Sequence, residues 1–239
     1  MFKSIRALTA ICAALAAIVA APAALAQATT YTLNASGPFT TIDNSSATPC
    51  DIPPCSTFAF TDRITGSFTR STPLAPNLTN SFIQISSLTS YSFSSGPITH
   101  ASTDPNSRLV TVFVSTNGSG AITNFSIQSL RWNILPHSLA NDAAGRFSEI
   151  LFGPSQQSTS HNYWCSILGN TPSGSSDQCQ SASQSNDFTE ASSSANGNTI
   201  TVVAPPAPVP TLSEWAMILM GLTLAGSAAV VIQRRRLPA

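Results

Sequence analysis

Lysine is missing between Gln27 and Val203, and charge of either sign is scarce, only 8% of the whole chain being Asp, Glu, Lys or Arg. That stretch carries five arginines against nine acids, a formal net charge of −4. Such a surface offers no basic patch to a phosphate backbone, which argues against nucleic acid as a partner. Histidine is equally sparse. His100, His137 and His161 stand in no H-x-H, H-E-x-x-H or H-x-x-E-H arrangement, and each is expected at a loop or strand end instead of on a metal. There is no G-x-S-x-G elbow, no phosphate-cradling Gly-rich loop and no EF-hand-type loop; Asp104-Pro105-Asn106-Ser107 reads as a turn. No cofactor, metal or catalytic residue is therefore expected, although a triad built from distant residues would leave no trace in sequence.

Helical periodicity is absent too: no eleven-residue window of 27–203 repeats apolar residues at 3.6. Polarity comes from Ser, Thr, Asn and Gln, whose short side chains compete with the backbone for hydrogen bonds and favour turns and exposed strand faces. Strands are expected over 57–69, bent near Asp62-Arg63, and over 82–86, 88–94 and 109–115. Further strands are expected from Ile122 to Ile134 after an Asn117-Gly118-Ser119-Gly120 turn, then over 147–152, 163–168 and 199–203. In 109–115, strict alternation puts Leu109, Thr111, Phe113 and Ser115 on one face and the three valines on the other. Residues 171–198 have few apolar anchors and are expected to be loop. The fold class is all-β: an antiparallel β-sandwich or jelly-roll-like domain, with an N-terminal signal peptide and a single C-terminal transmembrane helix.

The two ends of the chain define a route. Lys3 and Arg6 precede an apolar run from Ala7 to about Ala21, and Ala24-Leu25-Ala26 follows in A-x-A form: a signal peptide over 1–26, cut before Gln27. After the domain at 27–203, a Pro-rich spacer, 204–210, is expected to be stiff and extended. Thr211-Leu212-Ser213-Glu214 then fits the T-x-x-E capping box, in which the Thr hydroxyl and the Glu carboxylate satisfy helix-start N–H groups reciprocally. From Trp215 to Ile232 there is no formal charge, and at 1.5 Å per residue this helix reaches roughly 27 Å, close to the hydrocarbon thickness of a bilayer. Arg234, Arg235 and Arg236 follow, and basic residues flanking a span stay cytoplasmic, which places the domain on the other side.

Val209, Pro210, Thr211, Leu212, Ser213, Glu214 and Trp215, one apolar helix and a terminal Arg cluster together resemble the IPTL-CTERM sorting signal of Gram-negative bacteria, a relative of PEP-CTERM signals. The resemblance covers 209–236; Val209 stands where Ile is usual and Ala216 where Gly is usual. It implies recognition and cleavage near the motif by an exosortase, a membrane transpeptidase, after a transient stay in the inner membrane, and delivery to the cell surface or beyond. A non-enzymatic surface or extracellular-matrix protein is the expectation.

Export also frames the cysteines. Cys12 leaves with the signal peptide, and Cys50, Cys55, Cys165 and Cys179 enter an oxidising compartment, where two disulfides are expected. Four cysteines permit three connectivities. Sequence proximity favours Cys50–Cys55 and Cys165–Cys179, and no histidine beside either pair supports zinc. Trp132, Tyr163 and Trp164 are candidates for an aromatic platform that would hold a sugar ring, with exopolysaccharide as the partner. A secreted hydrolase with a dispersed site is the remaining alternative.

Overall fold

In the computed structural model of the chain, the described residues are 28–44, 55–194, 196–203 and 212–236, side chains in the last segment being described from Met217 to Gln233. They form two units, one ending at Ala204 and one starting at Pro205. The signal peptide predicted at 1–26 and the spacer predicted at 204–210 lie outside them.

Thirteen strands follow one another among the described residues of the first unit: β1 (Thr29–Asn34), β2 (Thr41–Asp43), β3 (Thr65–Arg70), β4 (Ser81–Phe82), β5 (Leu88–Ser94), β6 (Thr99–Ala101), β7 (Ser107–Thr116), β8 (Ile122–Trp132), β9 (Arg146–Gly153), β10 (Gln156–Gly169), β11 (Gln178–Ser183), β12 (Thr189–Ser193) and β13 (Thr199–Val203). One sheet has the order β13-β1-β3-β5-β6; the other runs β2-β12-β10-β9-β8-β7-β4, with β11 beside β10. All pairings are antiparallel. The two sheets share one core, to which the first contributes Tyr31, Leu33, Phe68 and Phe93 and the second Val112, Val114, Ile127, Ile150 and Phe152. Each such side chain contributes about 1.5–3 kcal/mol by leaving water. Tyr31 and Phe68 face each other across β1 and β3 and stack at 4.8 Å. The Tyr31 hydroxyl accepts from Leu74 N at 2.7 Å, so its burial leaves no polar group unpaired.

Buried neutral hydrogen bonds tie this core together. His100 of β6, fully buried, meets Ser129 Oγ of β8 and Ser148 Oγ of β9, each at 2.9 Å. Gln157 of β10 accepts from Ile64 N at 2.8 Å and donates to Gly37 O at 2.7 Å. Thr159 reaches Ser95 Oγ at 3.1 Å and Glu149 O at 3.0 Å. These contacts need specific partners, whereas apolar packing alone would tolerate sliding.

A second, smaller core lies apart from the first: Val110, Leu130, Trp132, Phe147 and Cys165, with Leu168 and Cys179 packed against it. Its existence corrects the face assignment in β7. The β7–β8 register shifts between Leu109 and Thr111, and Val110 is the extra residue. Leu109 consequently shares the main core with Val112 and Val114, while Val110 joins the second cluster. Alternation predicted the opposite grouping because it counted through the bulge.

Strand β10 holds the other decisive irregularity. Up to and including His161 it pairs with β12, from Trp164 onward with β11, and its register on β9 shifts between Ser160 and Tyr163. Asn162 sits at the bulge with φ 60, a conformation that asparagine tolerates better than most residues. A buried polar network holds it: Asn133 Nδ2 donates to Asn162 Oδ1 at 2.7 Å, Asn162 Nδ2 to Asp187 Oδ2 at 3.2 Å, and Arg146 to Asn162 O at 3.1 Å. Arg146 also pairs with Asp187 at 3.0 Å, both side chains almost wholly buried.

Three further expectations are corrected. Residues 57–69 are a strand only from Thr65, because a turn in which Asp62 N donates to Ala59 O interrupts them and leaves Phe60 65% exposed. The strand over 82–86 is reduced to Ser81–Phe82, since a 3-10 turn begins at Ile85. The 171–198 loop in fact contains β11 and β12. Their inward residues are small, Thr189, Ala191 and Ser193 in β12, so hydrophobicity could not reveal them. The turn beginning at Thr171 is also tied down, Ile85 N donating to Ser173 O at 3.0 Å.

The Arg146–Asp187 pair generates a quantitative expectation. Arg146→Ala would strand a buried carboxylate and free the bulge, lowering unfolding free energy by about 3–5 kcal/mol in urea titration; a loss below about 1 kcal/mol would show that the pair does not hold β10 at its bend.

Candidate functional site

The second unit is a helix, α1 (Leu212–Arg236). It starts one residue after Thr211, the predicted cap, and ends with the three arginines. Val209, Pro210 and Thr211 lie outside the described residues; Leu212, Ser213, Glu214 and Trp215 form the helix's first turn. From Met217 to Ile232 its polar side chains are Thr223 and Ser227 alone, and both hydroxyls donate back into the helix, to Met220 O at 2.8 Å and Leu224 O at 2.9 Å. The remaining residues are apolar around the whole circumference, with no polar face for water. Among the described residues no helix is long and apolar enough to cross a membrane, so the span predicted over 215–232 is not established by the structure.

The predicted cysteine pairing is seen where it can be seen. Cys165 on β10 and Cys179 on β11 are disulfide-bonded, with Cα atoms 5.6 Å apart. Closing a loop of this size is worth about 3 kcal/mol in the chain-entropy account, and it pins β11 over the second core. Cys55 is also disulfide-bonded; Cys50, its predicted partner, lies outside the described residues.

The aromatic platform is overturned. Trp132 is fully buried in the second core, stacked on His137 at 4.3 Å between ring centroids. Trp164 is half-buried and donates its Nε1 to Leu139 O at 3.1 Å. Consecutive residues of a strand point to opposite faces, so Trp164 does not extend the surface that Tyr163 presents.

Nor do the histidines sit as expected. His137 is in a loop, but His100 and His161 are buried within strands. The His100–Ser129 and His100–Ser148 contacts have the distance of a nucleophile–base pair, yet both ring nitrogens face serines deep between the sheets, where no substrate reaches. Burial, then the nearby Arg131 charge, push the His100 pKa down to about 3, too low for a general base near neutrality. The Ser–His pair is therefore a core contact. Among the described residues no group of three or more His, Cys, Asp or Glu could hold a metal ion.

The face of the eight-stranded sheet turned away from the main core carries what sequence reading did not single out. Register places Glu149 of β9 opposite Ser160 of β10, and Ser160 opposite Glu190 of β12, in one row. Two adjoining cavities, about 590 and 230 Å³, lie over this face and share Glu149 and Ala182. Gln128 Nε2 donates to Glu149 Oε1, and Tyr163 donates its hydroxyl to Glu190 Oε2 at 3.2 Å. Burial raises the pKa of Glu149 despite the Gln128 bond, and raises that of Tyr163 as well. The signal was present as polar residues at alternate strand positions, but it emerges only once the bulge in β10 fixes which residues share a face.

Residues 207–236 match the family model of the IPTL-CTERM motif. No curated protein and no solved structure matches the chain. The protein is thus an antiparallel two-sheet unit followed by a C-terminal sorting motif, and that motif is of the IPTL-CTERM type.

Acid should unfold this protein in part through His100. Its pKa is about 6.5 in the unfolded chain and about 3 in the fold, so the unfolded state binds the extra proton between these values. The stabilisation is complete above pH 6.5 and declines as pH falls towards 3, by up to roughly 1.4 kcal/mol per pH unit. Urea midpoints measured from pH 7 to 4 should show this slope, reduced in His100→Gln; an identical slope in that variant would place the acid sensitivity elsewhere.

Proposed function

We propose that the chain is the precursor of a non-enzymatic surface or extracellular-matrix protein, exported through a signal peptide at 1–26 and sorted through its C-terminal motif. The observation that carries this reading is the IPTL-CTERM match over 207–236, on a helix that starts at Leu212. In this account the helix holds the precursor in the inner membrane with Arg234, Arg235 and Arg236 on the cytoplasmic side. Its two internally bonded hydroxyls and otherwise apolar circumference suit hydrocarbon surroundings, where an unpaired polar group is costly. The two-sheet unit then folds on the far side, in an oxidising compartment consistent with the Cys165–Cys179 disulfide. An exosortase-type membrane enzyme recognises Pro210, Thr211, Leu212 and Trp215 and cuts near them. The motif residues are contacts for chemistry performed by that enzyme, and the chain contributes no catalytic group of its own.

The indole of Trp215 is a recognition element at the membrane interface, so its loss should spare anchoring and abolish processing. Trp215→Ala is expected to accumulate as full-length precursor in the membrane fraction, whereas wild type is shortened at its C-terminus; normal shortening of the variant would refute recognition through this residue.

A further inference from the structure

The row Glu149, Ser160, Glu190 crosses three neighbouring strands, and antiparallel partners have Cα atoms about 5 Å apart, so the two carboxylates start from positions roughly 10 Å apart with a serine between them. Ser160 is only 7% exposed, it lines the smaller cavity, and its Oγ has no hydrogen-bond partner. A buried hydroxyl left unpaired is unfavourable, and on a cavity floor it is a group that a ligand can satisfy. On β8 the residue opposite Glu149 is the buried Leu130, but Gln128, one row over, donates its amide to Glu149 and stands opposite Thr111 of β7, so polar lining crosses five strands, about 19 Å at some 4.8 Å per strand.

The chemistry of this lining narrows the occupant. Among the described residues no Lys, Arg or His lines either cavity, which disfavours phosphorylated or uronic-acid ligands. Among the described residues the carboxylates do not converge with a third metal-ligating group, so a cation is not the occupant they fit. Amides such as Gln128 and Gln180, the Ser160 hydroxyl and the carboxyl groups offer donors and acceptors together, the pattern that paired sugar hydroxyls require. Tyr163, partly exposed and packed on the buried Phe147, adds an aromatic edge beside that row. We propose that this face of the eight-stranded sheet binds a neutral oligosaccharide chain, its hydroxyls held by Gln128, Glu149, Ser160 and Glu190. A polyamine or amino-sugar chain is the weaker fit, because burial favours the uncharged form of Glu149 and so weakens its pull on a cation.

This binding is independent of how the tail is processed, so its failure leaves the sorting account untouched. The test is calorimetric titration of the full-length chain, held in a detergent without sugar headgroups, with cellohexaose, laminarihexaose, mannohexaose and xylohexaose, and with a chitosan hexamer as cationic comparison. At least one neutral hexasaccharide should bind, and Glu190→Gln and Ser160→Ala should each weaken it about tenfold or more at unchanged Tm. Phe60→Ser, at the exposed turn away from the groove, should bind as wild type does. The proposal is overturned by absence of binding to all four neutral chains, by binding of the chitosan hexamer alone, or by affinity that survives both groove variants.

Discussion

Two sheets built from Ser- and Thr-rich strands must find one mutual position, and neutral hydrogen bonds inside their shared core fix it. His100, held by Ser129 and Ser148, bridges β6 to β8 and β9; Gln157 holds backbone groups of residues 37 and 64; Thr159 reaches Ser95. Each group is buried, so each would be costly without its partner, and each partner exists only in one alignment of the sheets. With so few charges, salt bridges have little part in this: Arg146–Asp187 is the buried pair among the described residues, and Arg131–Asp104, at 2.6 Å, is partly exposed. The requirement that His100 stay neutral follows from the same arrangement and makes the core sensitive to acid.

The bend in β10 depends on that alignment and in turn shapes the outer face. Ahead of Asn162 the strand continues the sheet towards β12; beyond it, the strand turns to β11, and the Cys165–Cys179 bond keeps that hairpin over Trp132 and Phe147. Ser160 comes just before the bend and Tyr163 just after it, which is how a row of polar residues acquires a wall on one side. Backbone irregularity thus does what regular strands cannot: it turns a flat sheet face into a groove.

Much of the fold was legible because it rests on alternation. The strands at 88–94, 122–132 and 199–203, the Asn117 turn and the Asp104 turn follow from periodicity and turn chemistry, and the main core is built from the Phe, Ile and Val residues that define them. What escaped did so for physical reasons. Bulges at Val110 and Asn162 reverse faces without altering composition. Strand β12 buries Thr, Ala and Ser, whose size suits a tight sheet interior but whose hydropathy resembles a loop. Sequence leaves Trp132 open between a sugar platform and the core face of its strand, because an aromatic residue on a strand carries no label for its face; residues brought in from β10 and β11 cover it. The C-terminal motif was legible as an IPTL-CTERM signal, since its information is local: Pro-Thr-Leu, an apolar run and an arginine cluster in fixed order.

The chain therefore joins a unit whose structure is set by long-range contacts to a tail whose meaning is set by adjacent residues, and in the proposed function the tail decides where the unit works. The most direct test is the intact mass of the protein recovered from inner-membrane, surface and medium fractions of its host. The account predicts a mature species that begins at Gln27, ends near Pro210-Thr211-Leu212 and is found outside the inner membrane. A full-length species confined to the inner membrane and still carrying Arg234-Arg235-Arg236 would contradict it.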